Sequence, residues 1–216
     1  MGSSSNGQGV ESARPRLIVL WLIAVVPVST AWQFLRLQQL DPAAWLLADY
    51  GGRLLVLTLL AIDPAVRAAV FRRERMKISL AVVINWGLAL IPILIASKIV
   101  ADVYAAYLPT FRLGFYPRPE GWLNLFDLTF GIALVAVHEE IVYRRAARLA
   151  LAGLGDGKAM IGVSALLFGA FHWWTGVPNV FYATVLGVVA MLIYRRTGAL
   201  WPIVVIHYLA DLVAFG

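Results

Sequence analysis

The chain has no cysteine among its 216 residues. That removes disulfides, thiolate metal sites, a cysteine nucleophile and cysteine-based redox chemistry. Charge is scarce too. Asp, Glu, Lys and Arg make up 14% of the chain and hydrophobic residues 61%, with a mean hydropathy of +0.80. A soluble globular domain carries about 25% charged residues. The composition is therefore that of an integral membrane protein with no room for a soluble domain beyond its loops. Histidine occurs three times, as His138, His172 and His207. No internal repeat is visible. The formal net charge of +6 arises from basic residues between apolar runs, where a positive-inside bias puts them. The partner this implies is the lipid bilayer and not nucleic acid.

The apolar runs predict an all-α fold, a polytopic transmembrane helical bundle of about seven spans. Residues 1–15 are polar and Gly/Ser-rich and read as a disordered tail; Asn6 stands where a myristoylation signal wants Ser or Thr. The first apolar run is too long for a signal-peptide core and has no clear cleavage site, so it reads as a retained helix. The expected spans are 16–34 (with Pro27 inside), 43–62, 78–101 (with Pro92), 122–152, 158–174, 179–196 and 199–215. Asp49 and Arg53 interrupt the second span four residues apart, as a helix–helix contact would. Arg67, Arg72, Arg73, Arg75 and Lys77 form the strongest basic cluster, between the second and third spans. The connection 102–121 carries Pro109, Pro117 and Pro119. With Trp122 it also carries the aromatics of an interfacial belt: Tyr104, Tyr107, Phe111, Phe115 and Tyr116. Gly153 to Gly157 reads as a turn. The chain divides into the tail, the N-terminal helices with their interfacial loop (16–121) and a helical core (122–216). A cytoplasmic N-terminus puts Arg67 to Lys77, Lys158, Arg195 and Arg196 on the inner side against Arg36, Lys98, Arg112 and Arg118 on the outer, a bias that favours this orientation in a prokaryotic inner membrane.

A knot of charge, His138-Glu139-Glu140 followed by Arg144-Arg145, sits inside the fourth span. Each charge carried into hydrocarbon costs about 2.5–3.5 kcal/mol on insertion scales, so such residues mark a site by default. Glu139 lies 16 residues before Gly155 and His172 lies 17 after it. At about 1.5 Å per residue both stand roughly 25 Å along an antiparallel hairpin. By the same rise from Thr197, His207 is about 15 Å and Asp211 about 21 Å up the seventh span. Glu139, His172, His207 and Asp211 can thus converge between the fourth, fifth and seventh spans. Glu140 and Arg144 are four apart and share a face. Glu140 then reads as a structural anion, and Glu139 is left for His172 and water, as a general base is.

Each of these groups also has a plain structural use. Glu139 and Glu140 could be buried ion pairs with Arg144 and Arg145. His172 could cap a helix beside Trp173 and Trp174, and His207 with Asp211 could be a hydrogen-bonded strut. His138 reads as a neighbour with no chemistry, and Arg145 with Arg148 as an interfacial or cavity-facing stripe. Other chemistries fit less well. His138-Glu139 opens a zincin-like string, but Val142 stands where its second histidine belongs. Glu139, His172, His207 and Asp211 are suitable zinc ligands, although a metal is not the favoured reading and no cofactor is expected. Gly153-Leu154-Gly155-Asp156 matches the string of aspartyl intramembrane proteases but falls in a turn.

Three motifs in order, Glu-Glu-x-x-x-Arg at 139–144, Phe-x-x-x-His at 168–172 and His-x-x-x-Asp at 207–211, resemble those of the CPBP (ABI) family. Its members are CaaX proteases and bacteriocin-processing enzymes, glutamate-dependent intramembrane endopeptidases. The resemblance covers about residues 122–216. It implies that Glu139 activates water, that Glu140, Arg144 and Phe168 support the site, and that His172 holds water or helps protonate. His207 with Asp211 would stabilise the oxyanion. The departure is Asp211, where the family often has Asn: an ionised carboxylate cannot donate to an oxyanion. The implied substrate is a membrane-tethered protein or peptide, and no oligomeric state follows. Two other functions stay open: a non-catalytic binding, immunity or scaffold protein, and a metal-dependent membrane hydrolase. The hairpin geometry opens the site toward the outer leaflet, whereas the resemblance favours the cytosolic side.

Overall fold

The computed structural model describes residues 5–75, 77, 79–107, 113–114, 116–117, 119–154 and 157–215. Met1 to Ser4 of the expected tail lie outside these residues. So do Pro109, Phe111, Arg112, Phe115, Arg118 and the Gly155-Asp156 part of the turn. Among the described residues every regular element is helical.

Helix α1 runs over 5–37, as Ser5–Ile23, a π-helical turn Ala24–Val28 and Ser29–Leu37. Residues 5–15, expected as a disordered tail, are therefore helical. Pro27 falls in the π turn, where its missing N–H removes a ladder bond. Ser29 Oγ donates to the Ala24 carbonyl there at 2.7 Å. Helix α2 is Pro42–Ala61 and α3 is Pro64–Val70. Both start with the same device, an aspartate cap followed by proline at the first helical position. Asp41 accepts from Ala44 N, and Asp63 accepts from Ala65 N and Val66 N. The short α3 lies at the head of the basic stretch, where no helix was expected. Helix α4 is Leu80–Tyr107.

Helix α5 covers 121–154 without a break. It contains two π-helical turns, Asp127–Gly131 and Ile141–Ala146, and ends in a 3-10 turn, Leu151–Leu154. Helix α6 is Lys158–Phe171, α7 is Val177–Thr197 and α8 is Trp201–Phe215. The fifth expected span stops short at Phe171, and a 3-10 turn Trp173–Thr175 leads to α7. Among the described residues three helices are long and apolar enough to cross a membrane: Glu11–Leu37, Pro42–Ala61 and Val177–Thr197.

The layout inverts that of a soluble protein. Large aliphatics such as Val19, Leu22, Leu54, Leu166 and Val213 are exposed, while Asp49, Arg53, His138, Glu139, Glu140 and Arg144 are buried. Charge in the interior and hydrocarbon outside is the arrangement a bilayer solvent selects. The main core joins Leu17 and Trp21 of α1 and Val66 of α3 to Tyr143 and Ala147 of α5 and Phe168 and Phe171 of α6. Helices α6 and α7 form a tight hairpin. A Cβ on Gly187 would stand 2.9 Å from the Ala165 Cα, so only glycine permits this approach. Helix α8 packs mainly on the middle of α5, at Ile132–Glu140.

Candidate active site

The site is built around the second π turn of α5. A π turn widens the helix and frees carbonyls from the ladder. Neighbours take them up: Trp21 Nε1 donates to the Val142 carbonyl at 3.0 Å, and Ser164 Oγ donates to the Tyr143 carbonyl. Glu139 and Glu140 lie immediately before this turn, and Arg144 lies within it. Glu140 Oε2 pairs with Arg144 Nε at 3.0 Å, the contact expected from their spacing.

Helix α8 brings His207 to both glutamates. Nδ1 lies 2.8 Å from Glu140 Oε1. Nε2 lies 3.4 Å from Asp211 Oδ2 and 3.7 Å from Glu139 Oε2. Both ring nitrogens thus face carboxylate oxygens, which only accept, and both are placed to donate. The Nδ1 contact is tight and the Nε2 contacts are long, so Nε2 is the nitrogen with room for a further acceptor. Asp211 sits as an acceptor facing His207, four residues on along the helix.

Helix α6 ends at the site. His172 Nδ1 lies 2.9 Å from the Phe168 carbonyl, which can only accept; Nδ1 therefore carries the hydrogen and Nε2 is left open. Phe168 forms the floor between the histidines. Its ring centroid is 4.9 Å from that of His172 and 6.3 Å from that of His207, with the Arg144 guanidinium carbon 4.3 Å from it. Glu139 and Glu140 are buried, whereas His172, His207 and Asp211 are partly exposed. The open side therefore lies between α6 and α8.

Two expectations change. Glu139 is not left without a cation, because Arg53 of α2 reaches it, Nη1 to Oε1 at 2.8 Å. Arg145 is not available to either glutamate. It donates to the carbonyls of Arg72 and Ala69 and faces Glu74 at 3.6 Å. The pair Asp49–Arg53, read as a helix contact, is real (2.7 Å) and also extends into the site. His138 is more than a bystander. Its Nδ1 lies 3.1 Å from Arg53 Nη1, and its ring meets Trp32 edge-on at 5.6 Å. No local pattern in the sequence pointed to Arg53, which lies 86 residues from Glu139. Among the described residues no three His, Asp or Glu side chains are arranged to hold a metal ion.

Residues 121–213 match the family model described as type II CAAX prenyl endopeptidase Rce1-like. This stretch is similar to the Rce1-like family. The Rce1-like region takes in Glu139, Glu140, Arg144, Phe168, His172, His207 and Asp211, the residues of all three motifs, and agrees with their resemblance to the CaaX proteases. It leaves out α1 to α4, and with them Arg36, Asp49 and Arg53. The similarity suggests a CAAX-type protease in a membrane setting, with a protein or peptide as substrate. No curated protein and no solved structure matched the chain.

Proposed function

We propose that the protein is a glutamate-dependent intramembrane endopeptidase that cuts a membrane-tethered protein or peptide without a metal. The observation that carries this is the meeting of Glu139 with His207, beside the partly exposed His172 and Asp211, at the edge of a buried charged cluster. Glu139 Oε2 and the open Nε2 of His172 hold the attacking water between them, and Glu139 takes its proton as the oxygen adds to the scissile carbonyl. The oxyanion that forms lies against His207 Nε2, whose N–H exchanges its long contacts for a short one to the new charge. Asp211 orients His207 and does not itself donate to the oxyanion. Glu140 and Arg144 hold Nδ1 of His207 from behind. The proton then passes from Glu139 to the leaving amine as the C–N bond breaks, which releases two peptides and restores the carboxylate.

The three helices long and apolar enough to cross a bilayer, with the shorter apolar helices α6 and α8, support a polytopic bundle of about seven spans, and the loop charges support a cytoplasmic N-terminus in a prokaryotic inner membrane. The Rce1-like match supports a substrate with a lipidated C-terminal segment, which the bilayer would deliver to the α6–α8 side. The test needs no known substrate. Wild type and Glu139→Gln are expressed at equal levels in the native host, and protein termini are mapped in the membrane fraction. Termini that disappear only in Glu139→Gln are expected and would name the substrate. An unchanged set, with both proteins folded, sinks the proposal.

A further inference from the structure

Helix α2 sends one side chain into the site from outside the Rce1-like region. Arg53 Nη1 holds Glu139 Oε1 at 2.8 Å, while Glu139 Oε2 faces His207 at 3.7 Å. The two carboxylate oxygens are thereby made unequal. One is committed to a guanidinium and the other is turned to the imidazoles.

The guanidinium is itself fixed on several sides. Its Nε donates to Asp49 Oδ2 at 2.7 Å, and its Nη1 also lies 3.1 Å from His138 Nδ1. The rings of Trp32 and Phe171 stand 5.3 and 5.9 Å from its central carbon. Behind it, the other oxygen of Asp49 accepts from Arg36, whose guanidinium carbon stands 4.5 Å from the Trp45 ring centroid and 4.2 Å from that of Trp174. The ladder Arg36–Asp49–Arg53–Glu139 links α1, α2 and α5, and all four rungs are buried. A buried ladder of ions is a poor way to gain stability, because desolvation offsets most of the attraction. Its use is directional. A planar guanidinium that bridges two carboxylates fixes both in angle as well as distance, which a lysine cannot do. The same N-terminal helices also set His172, since Gln33 Nε2 of α1 donates at 2.9 Å to the carbonyl of Phe171, the residue before it.

We propose that Arg53 is the positioning residue for Glu139, the group that keeps it ionised and turns one chosen oxygen toward the water and the imidazoles. The proposal rests on the reading of Glu139 as the base. Around Glu139 the charged and titratable groups include Arg53 and Asp49 from α2, Arg36 from α1, His138, Glu140, Tyr143 and Arg144 from α5, His172 from α6, and His207 with Asp211 from α8. Of these, Arg53 is the permanent cation in direct contact with it.

Two measurements test the proposal on the full chain in proteoliposomes. The first is cleavage of the substrate named by terminus mapping. Arg53→Met is expected to lower kcat by about 100-fold with little change in KM, the size of loss seen when one fixed charge-stabilising group is removed. Arg53→Lys restores part of that rate, and Asp49→Asn loses less than Arg53→Met. The second is infrared difference spectroscopy, with the Glu139 band assigned by its absence in Glu139→Gln. In wild type the band is that of a carboxylate at neutral pH; in Arg53→Met it becomes that of a protonated carboxyl. Folded Arg53→Met cleaving at the wild-type rate, or an unchanged carboxylate band in it, overturns the proposal. So does Arg53→Lys behaving no better than Arg53→Met. Where Arg53→Met does not fold, Arg53→Lys carries the test, with intermediate kcat expected and wild-type kcat overturning the proposal. If Glu139→Gln cleaves normally, the base reading has failed, and the infrared band still reports whether Arg53 holds Glu139.

Discussion

Two of the buried carboxylates of helix α5 stand twelve residues apart at its π-helical turns, Asp127 opening the first and Glu139 just before the second. They are neutralised in opposite ways. Asp127 is held by hydroxyls: Tyr50 Oη donates at 2.5 Å, and Tyr116 Oη lies 2.9 Å from both of its oxygens. No arginine or lysine pairs with it among the described residues. Tyr116 also stacks on Phe215, with ring centroids 4.5 Å apart, so this group ties the loop before α5 to the end of α8. Glu139 has an arginine on one oxygen and an imidazole facing the other. A carboxylate with hydroxyl donors on both oxygens has nothing left to offer a substrate. One held at a single oxygen is anchored and still available. Burial alone therefore does not mark a working acid; the pattern of its partners does.

That contrast can be broken from either end. The largest expected effect is Glu139→Gln, which should lower cleavage about 1,000-fold, the scale of general-base catalysis. Asp127→Asn in the same assay should stay within a few-fold of wild type. Parity between the two variants would erase the distinction. Next comes Arg144→Met, which strips Glu140 of its buried counter-ion and should destabilise the fold by about 3 kcal/mol; thermal unfolding in detergent measures it. Gly131→Ala is expected to cost about 2 kcal/mol, because its Cβ would overlap Tyr50 Oη and Asp127 Oδ1 and push the clamp apart. Cleavage per folded molecule should be kept. The smallest effect is Tyr50→Phe, one hydrogen bond at about 1 kcal/mol, again with activity retained.

Much of the site was legible because helices turn spacing into contact. Glu140 and Arg144 meet at 3.0 Å, and His207 and Asp211 at 3.4 Å, both as their four-residue steps required. The helical class and the approximate bounds of the long helices were legible from the apolar runs. The partner of Glu139 was not. Arg53 is 86 residues away, and no local pattern encodes a contact at that range. Arg145 looked equally available, and only its use by Glu74 and two carbonyls removes it. Helix α3 did have a signal in Asp63-Pro64, a cap followed by a proline, but the basic residues after it read as loop. In the tail, Gly/Ser composition spoke for disorder, whereas the helix begins at Ser5, continuous with the apolar run behind it.

The close approach at Gly187 bears on how the machine moves. With the α6 and α7 backbones locked within a side chain's width, the hairpin and His172 with it behave as one stiff plate. Glu139, tied to Arg53, belongs to the chassis. Helix α8 rests mainly on α5 alone, and His207 and Asp211 ride on it. A peptide wedged between plate and α8 would therefore displace His207 and Asp211 together while Glu139 stays fixed.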